Sequence, residues 1–189
     1  MAISKNILSE KEKIARLRLI RTENVGPVTF KQLIDRYLSA EQAIEILPEL
    51  AKRGGRKKPL IIPTTAKIDK ELADLQKHDG RLVVLGDELY PQSLAVTEDA
   101  PPVLMALGNI DLLNQKCFAI VGARNASVVG LKLASNFAAQ LGDTGYIISS
   151  GMARGIDAAA HRGALKTGTI AVLAGGADVI YPRENANIY

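Results

Sequence analysis

Two arginines each follow a glycine at short spacing, a pattern suited to binding phosphate. Gly122 precedes Arg124, and Gly151 precedes Arg154. Each glycine ends an apolar run and comes before a helical pattern, so the backbone can approach a ligand and the next helix offers unpaired N–H groups. The planar guanidinium group pairs well with phosphate oxygens. The spacing therefore predicts an anion-binding surface, provided that the two turns lie side by side.

We call residues 122–127 the first turn, residues 149–155 the second turn, and the surface that they form together the rim. The predicted phosphate contacts are backbone glycines, arginines and neutral polar side chains: Gly122, Arg124, Asn125, Ser127, Ser149, Ser150, Gly151, Arg154 and Gly155. Either turn alone is better explained as a tight connection between a strand and a helix. Two matched turns at neighbouring strand ends favour phosphate binding.

Acid–base chemistry is the main alternative at the second turn. Asp157 and His161 are four residues apart and share one helix face, so a serine at position 149 or 150 would complete a serine–histidine–aspartate set. Pairs at this spacing are usually structural, and Ser150-Gly151-Met152 is not the strand-to-helix turn that exposes a nucleophilic serine. Binding without catalysis is the better interpretation.

Neither a metal nor a cofactor is expected from the sequence. One cysteine and two separated histidines provide no metal-ligand spacing. A dinucleotide site needs a second glycine where this chain has Arg124, whose side chain would obstruct a pyrophosphate but suits an exposed phosphate chain.

The elements around the rim predict an α/β fold. From Cys117 to Ala174 the order strand, helix, strand, helix, strand is one half of a Rossmann-like, doubly wound, mostly parallel sheet. Two earlier apolar runs, at 82–85 and 103–107, would raise the number of strands to about five. Cys117 is expected in the core. Because no second half follows, the architecture predicts a further C-terminal part that this chain lacks.

The front of the chain predicts a small all-helical domain. Helices are expected at 8–22, at 28–37, after Ser39 and at 68–78, and the first is expected to begin with a capping box of Ser9 and Glu12. The break at 23–27 has the form of a helix-hairpin-helix turn, with Asn24 where a glycine is usual. Whether this turn contacts DNA or the domain only docks another protein stays open. The predicted domains are residues 1–70 and 71–189.

Charge is unevenly distributed along the chain of 189 residues, whose formal net charge is +4. Through Lys70 there are 15 basic and 8 acidic residues, and from Glu71 onward 9 basic and 12 acidic. A basic front domain indicates a polyanionic partner, although a solvated lysine-rich surface explains the same numbers. Neither a membrane-spanning apolar run nor a signal peptide is visible, and the cytoplasm is the expected location.

Several strings from Asp87 onward resemble the DprA family of DNA-processing proteins, also called Smf. They are Asp87-x-x-Tyr90-Pro91-x-x-Leu94, Pro101-Pro102, Val121-Gly122-Ala123-Arg124, Ser150 to Asp157, Ala160 to Leu165, and Tyr181-Pro182-x-x-Asn185. The resemblance covers residues 80–189 strongly, and the front domain is similar to the sterile-alpha-motif-like (SAM-like) domain of many members. One departure is Ala123, where the family more often has serine.

The resemblance implies a cytoplasmic bacterial protein that binds and protects single-stranded DNA and loads the RecA recombinase in natural transformation. It also implies that the full-length protein is a homodimer. Gly122, Arg124, Gly151 and Arg154 would hold backbone phosphates, with serines and Asn125 as neutral donors. Asp157 and His161 are interpreted as residues that fix the shape of the rim.

Two other classes of protein stay open. The fold also resembles that of nucleotide-binding phosphoribohydrolases, but their Pro-Gly-Gly-x-Gly-Thr loop and downstream glutamate do not occur in this chain. A pure interaction module is the third class.

Overall fold

The computed structural model describes residues 8–176 and 179–189. The chain forms two compact units, Met1–Gly108 and Asn109–Tyr189. Residues 1–7, the start of the chain where no signal peptide is visible in the sequence, lie outside the described part. Within the described part, no helix has the length and apolarity needed to cross a membrane.

The first unit begins with four helices, close to the predicted positions. They are α1 (Glu10–Ile20), α2 (Pro27–Tyr37), α3 (Ala40–Arg53) and α4 (Thr65–Lys77). Leu19, Phe30, Ala43 and Leu47 form part of the core of this bundle, because the predicted apolar stripes face one another. The fold class, a helical domain followed by an α/β domain, is thus confirmed.

The predicted capping box at α1 is only half formed. The Ser9 hydroxyl accepts a hydrogen bond from the Glu12 backbone N–H at 3.2 Å, as expected. The Glu12 carboxylate, however, accepts from the Ala40 backbone N–H at 2.9 Å and from the Ser39 hydroxyl at 3.1 Å. A carboxylate there satisfies an unpaired N–H at the start of α3 and interacts favourably with its dipole. Glu12 therefore links two helices instead of completing the cap of its own helix.

Asn24 performs the conformational task of the missing glycine in the turn between α1 and α2. Its φ is +62°, in the left-handed region that asparagine adopts more readily than most residues. Gly26 and Pro27 then start α2, where the proline supplies a fixed φ at the first helical position. Contact of this turn with DNA stays a prediction.

A β-hairpin completes the first unit. Strands β1 (Arg81–Val84) and β2 (Val103–Ala106) pair antiparallel with each other, while the short helix α5 (Gln92–Ala95) lies in the connection. Tyr90 is buried in that connection and donates to the carbonyl oxygen of Pro101 at 2.7 Å; burial raises the pKa of its phenol to about 12. The sequence predicted that these two strands would raise the parallel sheet to about five strands. Instead they pair only with each other, in a sheet of their own.

Buried charges join the hairpin to α1. The Lys13 ammonium lies 2.8 Å from a carboxylate oxygen of Asp87, and only 15% and 6% of these side chains are exposed. Arg16 donates to the carbonyl oxygen of Leu85 at 2.6 Å and to Glu12 at 2.9 Å. These bonds place residues 81–106 in the same compact unit as the helices. The domain boundary at residue 70 stays a prediction, and the compact units divide at residue 108.

Charge is balanced between the two compact units. Residues 109–189 contain 7 basic and 5 acidic residues, which leaves 17 and 15 for residues 1–108, a net charge of +2 in each. The basic excess of residues 1–70 is offset within its own unit by acidic residues such as Asp87. Net charge per unit therefore does not single out the helical bundle as the polyanion-binding part.

We expect Asp87→Ala to lower the free energy of unfolding of the first unit by about 3 kcal/mol, because it leaves the Lys13 ammonium largely buried without its main counter-charge. Urea-induced unfolding followed through the amide signals of Val83 and Val84 measures this. Glu10→Ala is the matched control, since Glu10 is the exposed partner of the same lysine at 3.1 Å. An equal effect of both substitutions would contradict the buried pair as the source of stability.

The same pair predicts a pH dependence. The hydrogen bond to Asp87 raises the pKa of Lys13 above its ordinary value of 10.5. The stabilisation is therefore fully present below pH 10.5 and is lost as the pH rises through the higher pKa of the folded state.

In its described residues, 109–176 and 179–189, the second unit has a three-stranded parallel sheet and two α-helices. Strands β3 (Cys117–Ala119), β4 (Ile147–Ser150) and β5 (Thr169–Ala171) lie in the order β3-β4-β5. Helices α6 (Val128–Asp143) and α7 (Ile156–Ala164) connect them and share a buried cluster around Ile148. Small residues bring the helices together: a methyl group added to Gly163 would lie 2.1 Å from the carbonyl oxygen of Ser135.

Two predictions about this unit were wrong in detail. Cys117 is exposed instead of lying in the core, because β3 is an edge strand of the sheet described here. The last strand ends at Ala171, three residues before the predicted end at Ala174. Val172 still donates to the carbonyl oxygen of Ser150 at 2.8 Å. Beyond that bond, the apolar residues that suggested a longer strand continue as loop.

Candidate nucleic-acid interface

Both glycine turns lie at the same end of the parallel sheet. Strands β3 and β4 are neighbours, with Ala119 opposite Ser149, and each strand leads directly into its turn. Helix α6 begins after the first turn and α7 after the second, so the start of each helix also faces this end of the sheet. Positive dipole ends and unpaired N–H groups therefore accompany the two turns.

The two turns are in direct backbone contact. A methyl group added to Gly155, whose φ is +84°, would lie 2.2 Å from the carbonyl oxygen of Ala123. A methyl group on Gly122 would lie 2.8 Å from the Ile156 side chain, and the Ile156 N–H donates to the Ala123 carbonyl oxygen at 3.2 Å. Only glycine at both positions permits this approach. The predicted rim is thus one continuous surface.

The rim arginines are on the surface. Arg124 is exposed and has no ion pair within the described residues. The Arg154 side chain is 60% exposed and lies 3.8 Å from the Glu184 carboxylate, which is 63% exposed. An exposed ion pair at that distance contributes little and is easily exchanged for another anion. Both guanidinium groups are therefore accessible to a phosphate.

The neutral polar residues divide into surface and interior groups. Asn125 is exposed, and Ser149 is half-buried. Ser127 is exposed, but its hydroxyl caps α6 by accepting from the Gly130 N–H at 3.1 Å. Ser150 is buried and donates to the carbonyl oxygen of Ile120 at 2.6 Å, which ties β4 to β3. Ser150 consequently supports the rim from below, Asn125 and Ser127 lie on its surface, and Ser149 is partly accessible within β4.

Asp157 and His161 are buried beneath the second turn and do not form a catalytic set with a serine. The imidazole of His161 contacts the Gly151 carbonyl oxygen at 2.5 Å and the Thr169 hydroxyl at 2.7 Å, which occupies both nitrogens. One Asp157 carboxylate oxygen accepts from the Ala153 N–H at 3.4 Å and lies over Gly151. Since the Ser150 hydroxyl faces Ile120, a serine–histidine–aspartate triad is not assembled.

Two residues at the rim were missed as site residues. Ile156 fills the space between the turns, and Asn185 is buried and donates to the carbonyl oxygens of Met152 and Ala153 at 2.8 and 3.2 Å. Asn185 comes more than thirty residues after the turn that it contacts, so no local spacing relates the two. Its place in the string Tyr181-Pro182-x-x-Asn185 was the available signal.

Residues 81–189 match the family described as DNA recombination-mediator protein A, and residues 10–73 match the DprA-like N-terminal helix-hairpin-helix domain. The first match alone covers more than half of the chain. The chain belongs to the DprA/Smf family. The rim therefore lies within the part that defines DprA proteins, and the helical bundle corresponds to the N-terminal domain of the family.

Individual relatives agree with this assignment. The DNA processing protein DprA of Streptococcus pneumoniae is 42% identical over 104 residues, which are 54% of this chain and 36% of that protein. The X-ray structure of DprA from Streptococcus pneumoniae superposes with a TM-score of 0.55 at 30% identity, covering 88% of this chain and 64% of that one.

The DNA processing protein A of Helicobacter pylori, whose structure concerns its single-stranded DNA binding mode, has a TM-score of 0.51 at 26% identity. That match covers 58% of this chain and 49% of the other. The chain thus spans less than two thirds of the length of these relatives.

Proposed function

We propose that the rim binds the sugar–phosphate backbone of single-stranded DNA. The observation that carries this proposal is the contact between the two glycine turns, which brings exposed Arg124 and Arg154 to one end of the sheet. Phosphates along one strand would meet guanidinium groups together with backbone N–H groups, and none of these contacts depends on base identity. The single-stranded DNA binding mode described for the Helicobacter pylori relative favours single-stranded DNA as the ligand.

Binding should depend on charge more than on base stacking. Only 4% of the residues are aromatic, and the most exposed ring among the described residues is Tyr181, with 76% of the residue accessible. Stacking on aromatic side chains supplies much of the affinity of other single-strand binders. With few such rings, the affinity of this chain should be sequence-tolerant and sensitive to salt.

We also propose binding without catalysis, in the setting that the family name indicates. Neither the Ser150 hydroxyl nor the His161 imidazole is free to act as nucleophile or base in the present geometry. The full-length protein would protect incoming DNA in the cytoplasm and load RecA onto it in transformation and recombination, as a homodimer. Membership of the DprA family supports these finer assignments.

Fluorescence anisotropy with a labelled oligothymidine, measured across a salt series, tests the proposal. We expect preference for the single strand over a duplex of equal length. Each phosphate contact on a single strand contributes about −0.7 to the slope of the logarithm of the association constant against the logarithm of the salt concentration. If the two arginines neutralise two phosphates, that slope should be about −1.4. Failure of the folded chain to bind, or equal affinity for the duplex, would contradict the proposal.

A further inference from the structure

Buried side chains hold three successive carbonyl groups of the second turn. His161 contacts the Gly151 carbonyl oxygen at 2.5 Å, and Asn185 donates to those of Met152 and Ala153 at 2.8 and 3.2 Å. His161 is completely buried and Asn185 is 2% exposed. A loop between a strand and a helix ordinarily directs its carbonyl groups to solvent, whereas these three face protein donors.

The hydrogens in these contacts can be assigned. A carbonyl oxygen only accepts, so the His161 Nε2 must carry a hydrogen to bond to Gly151. On the other side of the ring, Nδ1 lies 2.7 Å from the Thr169 hydroxyl, which is itself 2.8 Å from the carbonyl oxygen of Ile148. Thr169 thus lies between Nδ1 of the ring and the Ile148 carbonyl oxygen and holds the other edge of the imidazole in place. Asn185 has two N–H hydrogens, one for each of its carbonyl partners.

The direction of the carbonyl groups determines the direction of the amides. In a planar trans peptide the N–H points opposite to the C=O, so the N–H groups of Met152, Ala153 and Arg154 point away from His161 and Asn185. That of Ala153 is bonded to Asp157 at 3.4 Å. Those of Met152 and Arg154 have no acceptor within residues 8–176 and 179–189. Backbone N–H groups of a turn that have no protein acceptor can bind an anion.

We propose that His161 and Asn185 are positioning residues that hold the Met152 and Arg154 amides ready for a phosphate oxygen. This inference rests on the proposed function, because it concerns the same rim. A turn with glycines at both ends would otherwise sample many conformations, and ordering it on binding would lower affinity. Donors fixed in advance avoid that loss. Neither His161 nor Asn185 needs to touch DNA.

Matched substitutions at position 161 test the proposal in the complete chain. His161→Gln keeps an N–H near the position of Nε2, while His161→Leu fills similar space without a donor. We expect His161→Leu to weaken oligothymidine binding about tenfold, the lower end of what losing an outer-shell hydrogen bond costs at metal sites, and His161→Gln to retain most of the affinity. The salt slope should stay unchanged in both variants, because no cation is lost.

Asn185→Asp is the second variant, since an aspartate of the same shape places a carboxylate against two carbonyl oxygens. We expect it to weaken oligothymidine binding at least as much as His161→Leu. Equal affinity of the wild type and both disruptive variants would overturn the inference, even if their melting temperatures fall. If the wild type binds but these variants do not differ from it, the inference fails while the proposed function stands.

Inorganic phosphate provides a test that needs no variant. In ¹H–¹⁵N spectra of the wild-type chain, added phosphate should shift the Met152 and Arg154 amide signals more than that of Ala153, whose N–H is occupied by Asp157. A uniform response, or none at these two amides, would overturn the inference whether or not the substituted chains fold. Absence of oligothymidine binding together with the amide shifts would reject the proposed function alone.

Discussion

Replacing Arg124 by alanine should weaken binding of oligothymidine by about tenfold or more, because a charged hydrogen bond to phosphate is lost. Arg124 is exposed, and within the described residues no carboxylate neutralises it, so its charge is available to a ligand. The salt slope should fall in magnitude by about 0.7, the contribution of one phosphate contact on a single strand. Anisotropy titrations of wild type and variant at several salt concentrations measure both quantities.

Lys166→Ala is the matched control for Arg124→Ala. Lys166 is exposed and follows the end of α7, whereas the rim lies at the start of that helix. The nine residues of α7 separate the two positions by about 13 Å at 1.5 Å per residue. Both substitutions remove one positive charge from the same unit. Equal losses of affinity would indicate general electrostatic attraction and contradict a localised rim.

The Arg124 variant also distinguishes the classes of protein that the sequence left open. A DNA-binding rim predicts loss of DNA affinity, a phosphoribohydrolase predicts loss of hydrolysis of nucleoside monophosphates, and an interaction module predicts little change in either. Measuring DNA affinity and hydrolysis of nucleoside monophosphates for both the wild type and the Arg124 variant separates these classes.

Gly155→Ala should cause the largest loss of stability of any single methyl addition at the rim. The residue has a φ of +84°, and the added carbon would lie 2.2 Å from the Ala123 carbonyl oxygen and 2.6 Å from that of Arg124. Left-handed strain and overpacking against backbone together should lower the free energy of unfolding by about 2 to 5 kcal/mol. The two turns would also separate, so DNA affinity should fall with stability.

Gly145→Ala separates the two causes of that loss. Gly145 has a φ of +91°, but no atom lies within 4 Å of the position where a methyl group would be added. Strain alone should lower the free energy of unfolding by about 1 to 2 kcal/mol. Native-state hydrogen exchange of the Ile148 amide in β4 reports on the stability of this unit. A Gly155 variant no less stable than the Gly145 variant would contradict the close contact between the turns.

Local sequence patterns determined much of this protein. The periodicity of apolar residues located all four helices of the bundle and the order of strands and helices in the second unit, because such patterns depend only on neighbouring residues. Glycine followed by arginine marked both turns of the rim. Since consecutive parallel strands joined by helices usually lie side by side, the adjacency of the turns followed from the same pattern. Membership of the DprA family was visible in the strings that surround these residues.

Only the tertiary structure decided the hydrogen-bond and ion-pair partners of several polar side chains. Glu12, predicted to cap its own helix, bonds to the start of α3, and the strands at 81–84 and 103–106 pair with each other and join the helical unit through Lys13 and Asp87. Asn185 holds a turn 32 to 33 residues earlier in the chain. A hydrogen-bond donor is satisfied by whichever acceptor folding brings near, and residue spacing carries no record of that choice. Local patterns therefore specified the elements and the charged rim, whereas long-range packing specified how the rim is held.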